Sequence, residues 1–145
     1  MGLAVRVVGS GPESPELTVL RGLPGVTVEN RWVPEAEVGE LFSWADAVVL
    51  PYREASQSGV AAVALAANRY VVATNVGGLT EQLVGEPLAI LCEPEAGSLA
   101  NGLRRVLDGA LDAARPAAKG PLGAWQEIGR VLVDQAGTLL RPGIG

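Results

Sequence analysis

The fold is decided by residues 46–81, which read DAVVLPYREASQSGVAAVALAANRYVVATNVGGLTE. A short apolar run, Ala47–Leu50, stops at a proline and is followed by a polar loop. An alanine-rich run of helical length comes next, and a second apolar run, Tyr70–Thr74, follows it. Short apolar runs separated by a helix-length segment are typical of buried parallel strands in a β-α-β unit.

The same alternation continues on both sides of this stretch. Residues 4–8 and 26–28 are predicted to form strands before it, and residues 88–92 a strand after it. Ser14 and Pro15 predict the start of the first helix, with serine as the cap and proline as the first helical residue. Strands that alternate with helices predict a Rossmann-like α/β fold, a doubly wound parallel sheet flanked by helices.

Towards the C-terminus the pattern weakens and then returns. Residues 108–123 are rich in alanine, glycine and proline and predict a loop or linker. Residues 124–140 recover the helical spacing of apolar side chains and predict a C-terminal helix. A chain of 145 residues suits one domain, so we expect a single domain over residues 1–145.

The composition argues against several functions. The net charge is -5 and Lys119 is the sole lysine, which argues against a nucleic acid as partner. The sequence contains no histidine, so histidine acid–base catalysis and histidine metal ligation are excluded. The single cysteine, Cys92, allows no disulfide framework, and we expect it to be a small buried residue near a strand end. We expect no metal and no cofactor.

The sequence contains no recognisable targeting signal. The N-terminal residues run directly into a strand that contains Arg6, which is unlike the apolar core of a signal peptide. No apolar run is long enough to span a bilayer. We therefore expect no integral membrane segment and a cytoplasmic location.

The polar loop of residues 52–58 carries the candidate chemistry. Ser58 and Gly59 lie where a strand ends and a helix begins, and the exposed N–H groups of a helix start favour an anion. Gly59 lets the backbone approach a ligand closely. Glu54, just upstream, can accept hydrogen bonds from sugar hydroxyls. A carboxylate beside a phosphate cradle suggests a ligand with a polyol end and a phosphate end.

Two motifs in this stretch resemble a known family. PYREASQSGV (residues 51–60) and VVATNVGGLTE (residues 71–81) are similar to the nucleotide-sugar-binding half of retaining GT-B glycosyltransferases, the group 1 family. That region of the family usually contains Pro-x-x-x-Glu, a glycine-containing loop, a helix, a strand and Gly-Gly-x-x-Glu. The match follows this order, and weaker similarity runs from Val5 to about Asp134.

The resemblance implies a nucleoside-diphosphate-sugar donor, a UDP- or GDP-sugar, whose sugar is transferred with retention. Glu54 would bind the donor sugar. The diphosphate would be bound by four residues, Gln57, Ser58, Gly59 and Val60. The donor cleft would be lined by five residues, Gly9, Gly11, Gly77, Gly78 and Glu81. As alternatives, Glu54 is a solvated loop acid, the glycines form tight turns, and Glu81 favours the first turn of its helix.

The sequence departs from the family pattern in ways that bear on activity. Val63 stands where the family usually has a second glutamate, which typically holds the nucleotide ribose. Asn68 and Tyr70 replace the usual glycine and proline before the second strand. The Gln-Ser-Gly-Val form of the loop, residues 57–60, is similar to a variant found in part of the family.

The resemblance also implies a missing partner. Family members of this kind need another Rossmann-like domain, which binds the acceptor, and their donor domain begins with a strand and helix that we do not find before Val5. We therefore expect an incomplete GT-B C-terminal domain: an excised fragment, a truncated gene product or one subunit of a split enzyme. Without that first strand, the strands at Val5 and Val48 either pair directly or keep open edges.

Two other functions stay open at this point. One is a GT-B-type sugar-nucleotide epimerase, which would differ from a transferase in its products. The other is a catalytically inert binding or scaffold module, which Val63 and the missing domain favour.

Overall fold

The computed structural model describes residues 3–109, in which five strands alternate with five helices. In chain order these elements are β1 (Val5–Gly9), α1 (Pro15–Arg21), β2 (Val26–Asn30), α2 (Glu35–Trp44), β3 (Ala47–Leu50), α3 (Gly59–Ala66), β4 (Tyr70–Thr74), α4 (Gly77–Leu83), β5 (Ala89–Cys92) and α5 (Ala96–Leu107). The alternation and the parallel strand pairing confirm the Rossmann-like α/β prediction. The expected helix at 124–140, and the expected loop at 108–123 beyond its first two residues, lie outside the described residues.

The strands form two parallel sheets rather than one. β1 pairs with β2 in the first sheet, and the second sheet has the order β3-β4-β5. β1 and β3 share no ladder, so of the two expected arrangements the structure has the one with open strand edges. The described residues correspondingly divide into two compact units, separated between Val38 and Gly39. The single domain over 1–145 stays a prediction.

The first unit is held together by backbone pairing, a capped helix and ion pairs. Ser14 caps α1 as predicted, because its Oγ accepts a hydrogen bond from the Leu17 N–H at 3.4 Å and Pro15 is the first helical residue. Arg6 and Arg31 both pair with the Glu29 carboxylate. Within the described part of this unit, no side chain is fully buried.

The second unit is organised around β4, whose five residues are all buried. One face of the sheet forms a core with α5 that contains Tyr70, Val72, Leu88, Ile90, Cys92 and Val106. Val71 and Ala73 alternate with these residues and are 0% exposed, so helices cover the other face as well. The connections from β3 to β4 and from β4 to β5 both cross the sheet in the same direction. Because such connections are right-handed, α3 and α4 lie together on the face opposite α5.

Cys92 has the environment that the sequence predicted. It is 5% exposed at the end of β5, and burial raises the pKa of its thiol. A buried thiol of raised pKa is a packing residue rather than a nucleophile at neutral pH.

Gly102 brings α5 against the sheet, and this contact can be tested. A Cβ added at Gly102 would lie 2.5 Å from the Cys92 sulfur and 3.1 Å from Val72 Cγ1. Both neighbours are buried and cannot turn away. We expect Gly102→Ala to lower the free energy of unfolding by about 1–3 kcal/mol through overpacking, as measured by denaturant unfolding.

Gly97 provides the matched control on the same helix. A Cβ there would meet nothing within 4 Å, so Gly97→Ala should be neutral or stabilising, because alanine favours a helix over glycine by about 1 kcal/mol. Equal effects of the two substitutions would contradict the close packing of α5.

The open edge of β3 leads to a second prediction. Among the described residues β3 pairs only with β4, and Val49 is 42% exposed on it. Apolar strand edges pair with other chains, so we expect the protein to self-associate in size-exclusion chromatography with light scattering. Val49→Lys should shift the protein towards monomer, because a charge on an edge strand opposes strand addition. Val84→Lys is the control, since Val84 is 66% exposed outside the strands. A monomeric wild type would refute the prediction.

Candidate functional site

The candidate site of the second unit is built on the β3–α3 loop, residues 51–58. This loop follows the carboxyl end of β3, where ligands bind in open α/β sheets. The next strand and helix hold it in place. The Thr74 hydroxyl, at the end of β4, donates to the Tyr52 carbonyl at 2.6 Å. The Gly78 N–H, in α4, donates to the Ala55 carbonyl at 3.1 Å.

The end of the loop is fixed by the side-chain amide of Gln82. The Ser58 N–H donates to Gln82 Oε1 at 2.9 Å, and Gln82 Nε2 donates to the Ser58 carbonyl at 2.9 Å. Ser58 is 5% exposed and Gln82 is half-buried, so these bonds are partly shielded from water. One side chain of α4 therefore bonds both backbone groups of the residue that caps α3, whose carbonyl also accepts from the Ala62 N–H at 3.2 Å.

Gly77 and Gly78 allow the loop to approach α4. A Cβ on Gly77 would collide with the Ala55 carbonyl oxygen, and a Cβ on Gly78 would collide with the Ser56 carbonyl oxygen. Gly77 also has a φ of +49°, a conformation that other residues rarely adopt. The group that lies against both glycines is the chain's own loop, and their role in lining a donor cleft stays a prediction.

The start of α3 has two N–H groups without a hydrogen-bond partner among the described residues, on the buried Gly59 and the half-buried Val60. Two other N–H groups at this end of the helix have partners. The Ser58 N–H donates to Gln82 Oε1, and the Ala61 N–H donates to Ser58 Oγ at 3.1 Å. Within residues 3–109 the N–H groups of Gly59 and Val60 have no hydrogen-bond partner. Uncompensated donors at the positive end of a helix dipole favour an anion.

The other site residues of this unit lie around the same loop. Glu54 and Gln57 are exposed, and the Glu54 side chain makes no hydrogen bond to the described residues. Glu81 is exposed beyond the first turn of α4, so its alternative role as a first-turn acid does not apply. Val63 is 1% exposed in the core, so its side chain cannot contact a ribose.

Gly9 and Gly11 lie in the first unit, where they line a shallow cavity of about 300 Å³ at the ends of β1 and β2. The Gly11 N–H donates to Asn30 Oδ1 at 3.0 Å, and Asn30 Nδ2 donates to Glu13 at 2.9 Å. Arg21 binds both oxygens of Glu13, at 2.8 and 2.9 Å. This network orders the loop after β1. Both the oxygen and the nitrogen of the Asn30 side-chain amide are hydrogen-bonded within it.

Sequence reasoning missed the two side chains that hold the loop, Thr74 and Gln82. Thr74 gave a weak signal, because it is a polar residue that closes an apolar strand and is 1% exposed. Gln82 comes four residues after Gly78, so the two lie on the same face of α4. Loop residues 55–58 run along that face, and this spacing was the signal for Gln82.

The described residues were compared with the requirements of a membrane-spanning helix and of a metal site. No helix in residues 3–109 combines the length and the hydrophobicity that are needed to cross a membrane. The same part of the chain contains no group of three or more acidic or cysteine side chains that is arranged to hold a metal ion.

The alternating strands and helices with parallel pairing, and the loop beyond the carboxyl end of β3, define a Rossmann-like α/β protein. A family model for group 1 glycosyl transferases matches residues 2–109 of this chain. The chain therefore belongs to the group 1 glycosyl transferase family, and the resemblance found in the sequence is confirmed. Its parallel α/β architecture fits part of a GT-B-like domain. A comparison with curated proteins gives no match.

The Glu13 network predicts a measurable pKa. Hydrogen bonds from Arg21, and secondarily from Asn30, lower the pKa of Glu13 from 4.5 to about 2. Because the folded-state pKa is depressed, this carboxylate stabilises the fold above about pH 4.5, and the contribution is lost as the pH falls towards 2. Arg21→Met should return the Glu13 pKa towards 4.5 in a carboxyl NMR titration. An unchanged pKa would show that the pairing with Arg21 is not maintained in solution.

Proposed function

We propose that this chain binds a nucleoside-diphosphate sugar, with UDP or GDP as the nucleotide, as the donor-binding part of a retaining glycosyltransferase. The observation that carries the proposal is the pair of unpartnered N–H donors, Gly59 and Val60, at the start of α3. They directly follow a loop whose sequence is similar to the donor-binding motif of the family to which the chain belongs.

In the proposed reaction the sugar passes from the diphosphate to an acceptor hydroxyl. The bond between the anomeric carbon and the diphosphate oxygen breaks, and a bond to the acceptor oxygen forms on the same face of the sugar. The proton of the acceptor hydroxyl passes to the departing diphosphate oxygen. Negative charge grows on the leaving diphosphate, where the N–H groups of Gly59 and Val60 and the helix dipole would stabilise it. The Glu54 carboxylate would accept hydrogen bonds from sugar hydroxyls and so orient the donor.

The acceptor would come from a partner. By its resemblance to the family, this chain would work with a second Rossmann-like domain or a subunit that binds the acceptor. We therefore expect donor binding without transfer when this chain is assayed alone.

A binding module without turnover is the second candidate, and Val63 favours it. The family usually places a ribose-binding glutamate there, whereas this chain has a side chain that is 1% exposed in the core. Product analysis with the partner domain and an acceptor separates the two functions, because a transferase forms a glycoside and a binding module returns the donor unchanged.

The diphosphate site predicts a preference among ligands. If Gly59 and Val60 hold the diphosphate, UDP or GDP should bind more tightly than uridine or guanosine in isothermal titration calorimetry. Gly59→Val should weaken UDP or GDP binding selectively, because its side chain would obstruct the approach of the phosphate to the backbone.

Gly97→Val is the control for this substitution. Gly97 occupies the first turn of α5, and a Cβ there meets nothing within 4 Å, so nucleotide binding should be unchanged. Equal affinities of the wild type for nucleoside and nucleotide would contradict the diphosphate site.

Glu54 should act on the sugar and not on the nucleotide. We expect Glu54→Gln to reduce sugar-nucleotide affinity by about 1.5–3 kcal/mol through the loss of a charged acceptor, with free nucleotide nearly unchanged. Glu86→Gln, at another exposed glutamate, is the matched control and should change neither affinity. If Glu54→Gln weakens both ligands equally, Glu54 does not contact the sugar.

A further inference from the structure

We infer that Gln82 is the positioning residue of the donor site: its side-chain amide holds Ser58 so that the adjacent N–H groups of Gly59 and Val60 stay directed at the diphosphate. This inference rests on the proposed function, because it assigns a role within the same site. Gln82 acts through the backbone and does not itself touch the ligand.

The geometry distinguishes Gln82 from an ordinary surface residue. Its amide makes two hydrogen bonds of 2.9 Å to one residue that lies 24 positions away in the sequence. A planar amide that donates to the carbonyl and accepts from the N–H of the same residue restricts the orientation of both flanking peptide groups. The peptide that follows Ser58 carries the Gly59 N–H. Its carbonyl accepts from Gln82 Nε2 at 2.9 Å and from the Ala62 N–H of α3 at 3.2 Å, so Gln82 and the first turn of the helix together set its direction.

Gln82 also determines which donors remain open. The Ser58 N–H is satisfied by Gln82, and the Ala61 N–H is satisfied by the Ser58 hydroxyl. Without Gln82 the Ser58 N–H would compete for the anion or for water, and the loop end would lose one of its attachments to α4. The attachments from Thr74 and Gly78 lie nearer the start of the loop, so they cannot replace it.

The test compares nucleoside and nucleoside diphosphate on the full chain. Gln82→Met keeps the length of the side chain and removes both hydrogen bonds. We expect UDP or GDP affinity to fall about tenfold, because two neutral hydrogen bonds no longer fix the site, while uridine or guanosine affinity stays within about twofold.

Amide exchange measured by NMR should accelerate at Ser58 in this variant. In the wild type, UDP or GDP should slow exchange at Gly59 and Val60.

Thr80→Val is the matched control on the same helix, because it removes a side-chain hydrogen bond to Asn75 without touching the loop. It should leave the ratio of nucleotide to nucleoside affinity unchanged. If Gln82→Met does not fold, Gln82→Asn makes the same comparison, since it keeps the amide on a side chain that is one methylene shorter.

The outcomes separate the inference from the proposed function. A wild type that prefers the nucleotide, with a variant that keeps this preference, overturns the role of Gln82 and leaves the donor site standing. An equal loss of nucleoside and nucleotide binding in the variant also overturns it, because the effect is then general destabilisation. A wild type without any preference for the nucleotide overturns the donor site and, with it, the inference.

Discussion

The second unit depends on the burial of β4. Its backbone is hydrogen-bonded on both sides, to β3 and to β5, and Val71, Val72 and Ala73 are 0% exposed. A strand in this position leaves no face for solvent, so helices must cover the sheet on both sides. The same strand ends at Thr74, whose hydroxyl holds the Tyr52 carbonyl and so starts the ordering of the neighbouring loop. The core and the candidate site are thus connected through one strand.

The loop at the candidate site is ordered by side chains and glycines outside it. Because Gly77 and Gly78 have no side chains, the carbonyls of Ala55 and Ser56 can pack against α4. Gln82 binds the end of the loop at Ser58. Such an arrangement fixes a backbone site before any ligand arrives. In the proposed function, this order would mean that the dipoles of the site need no reorganisation when charge develops on the leaving diphosphate.

The two units are stabilised by different means. The second unit has a continuous apolar core, whereas the described part of the first relies on a two-stranded ladder and exposed ion pairs such as Arg21 with Glu13. Exposed ion pairs contribute little to stability, because water screens the attraction between their charges. Glu29 is held between Arg6 and Arg31, and these hydrogen bonds, foremost that from Arg6, lower its pKa.

The sequence by itself determined the order of strands and helices, the cap at Ser14, the buried Cys92 and the family, because these follow from local apolar patterns and contiguous motifs. It also located the loop that precedes the N–H groups of Gly59 and Val60. The tertiary structure alone decided that β1 and β3 remain in separate sheets and that Ser58 is a cap held by Gln82. The physical reason is the range of the interactions: a hydrogen bond between residues 24 positions apart exists only once β4 and α4 have folded beside the loop, and no local pattern encodes it.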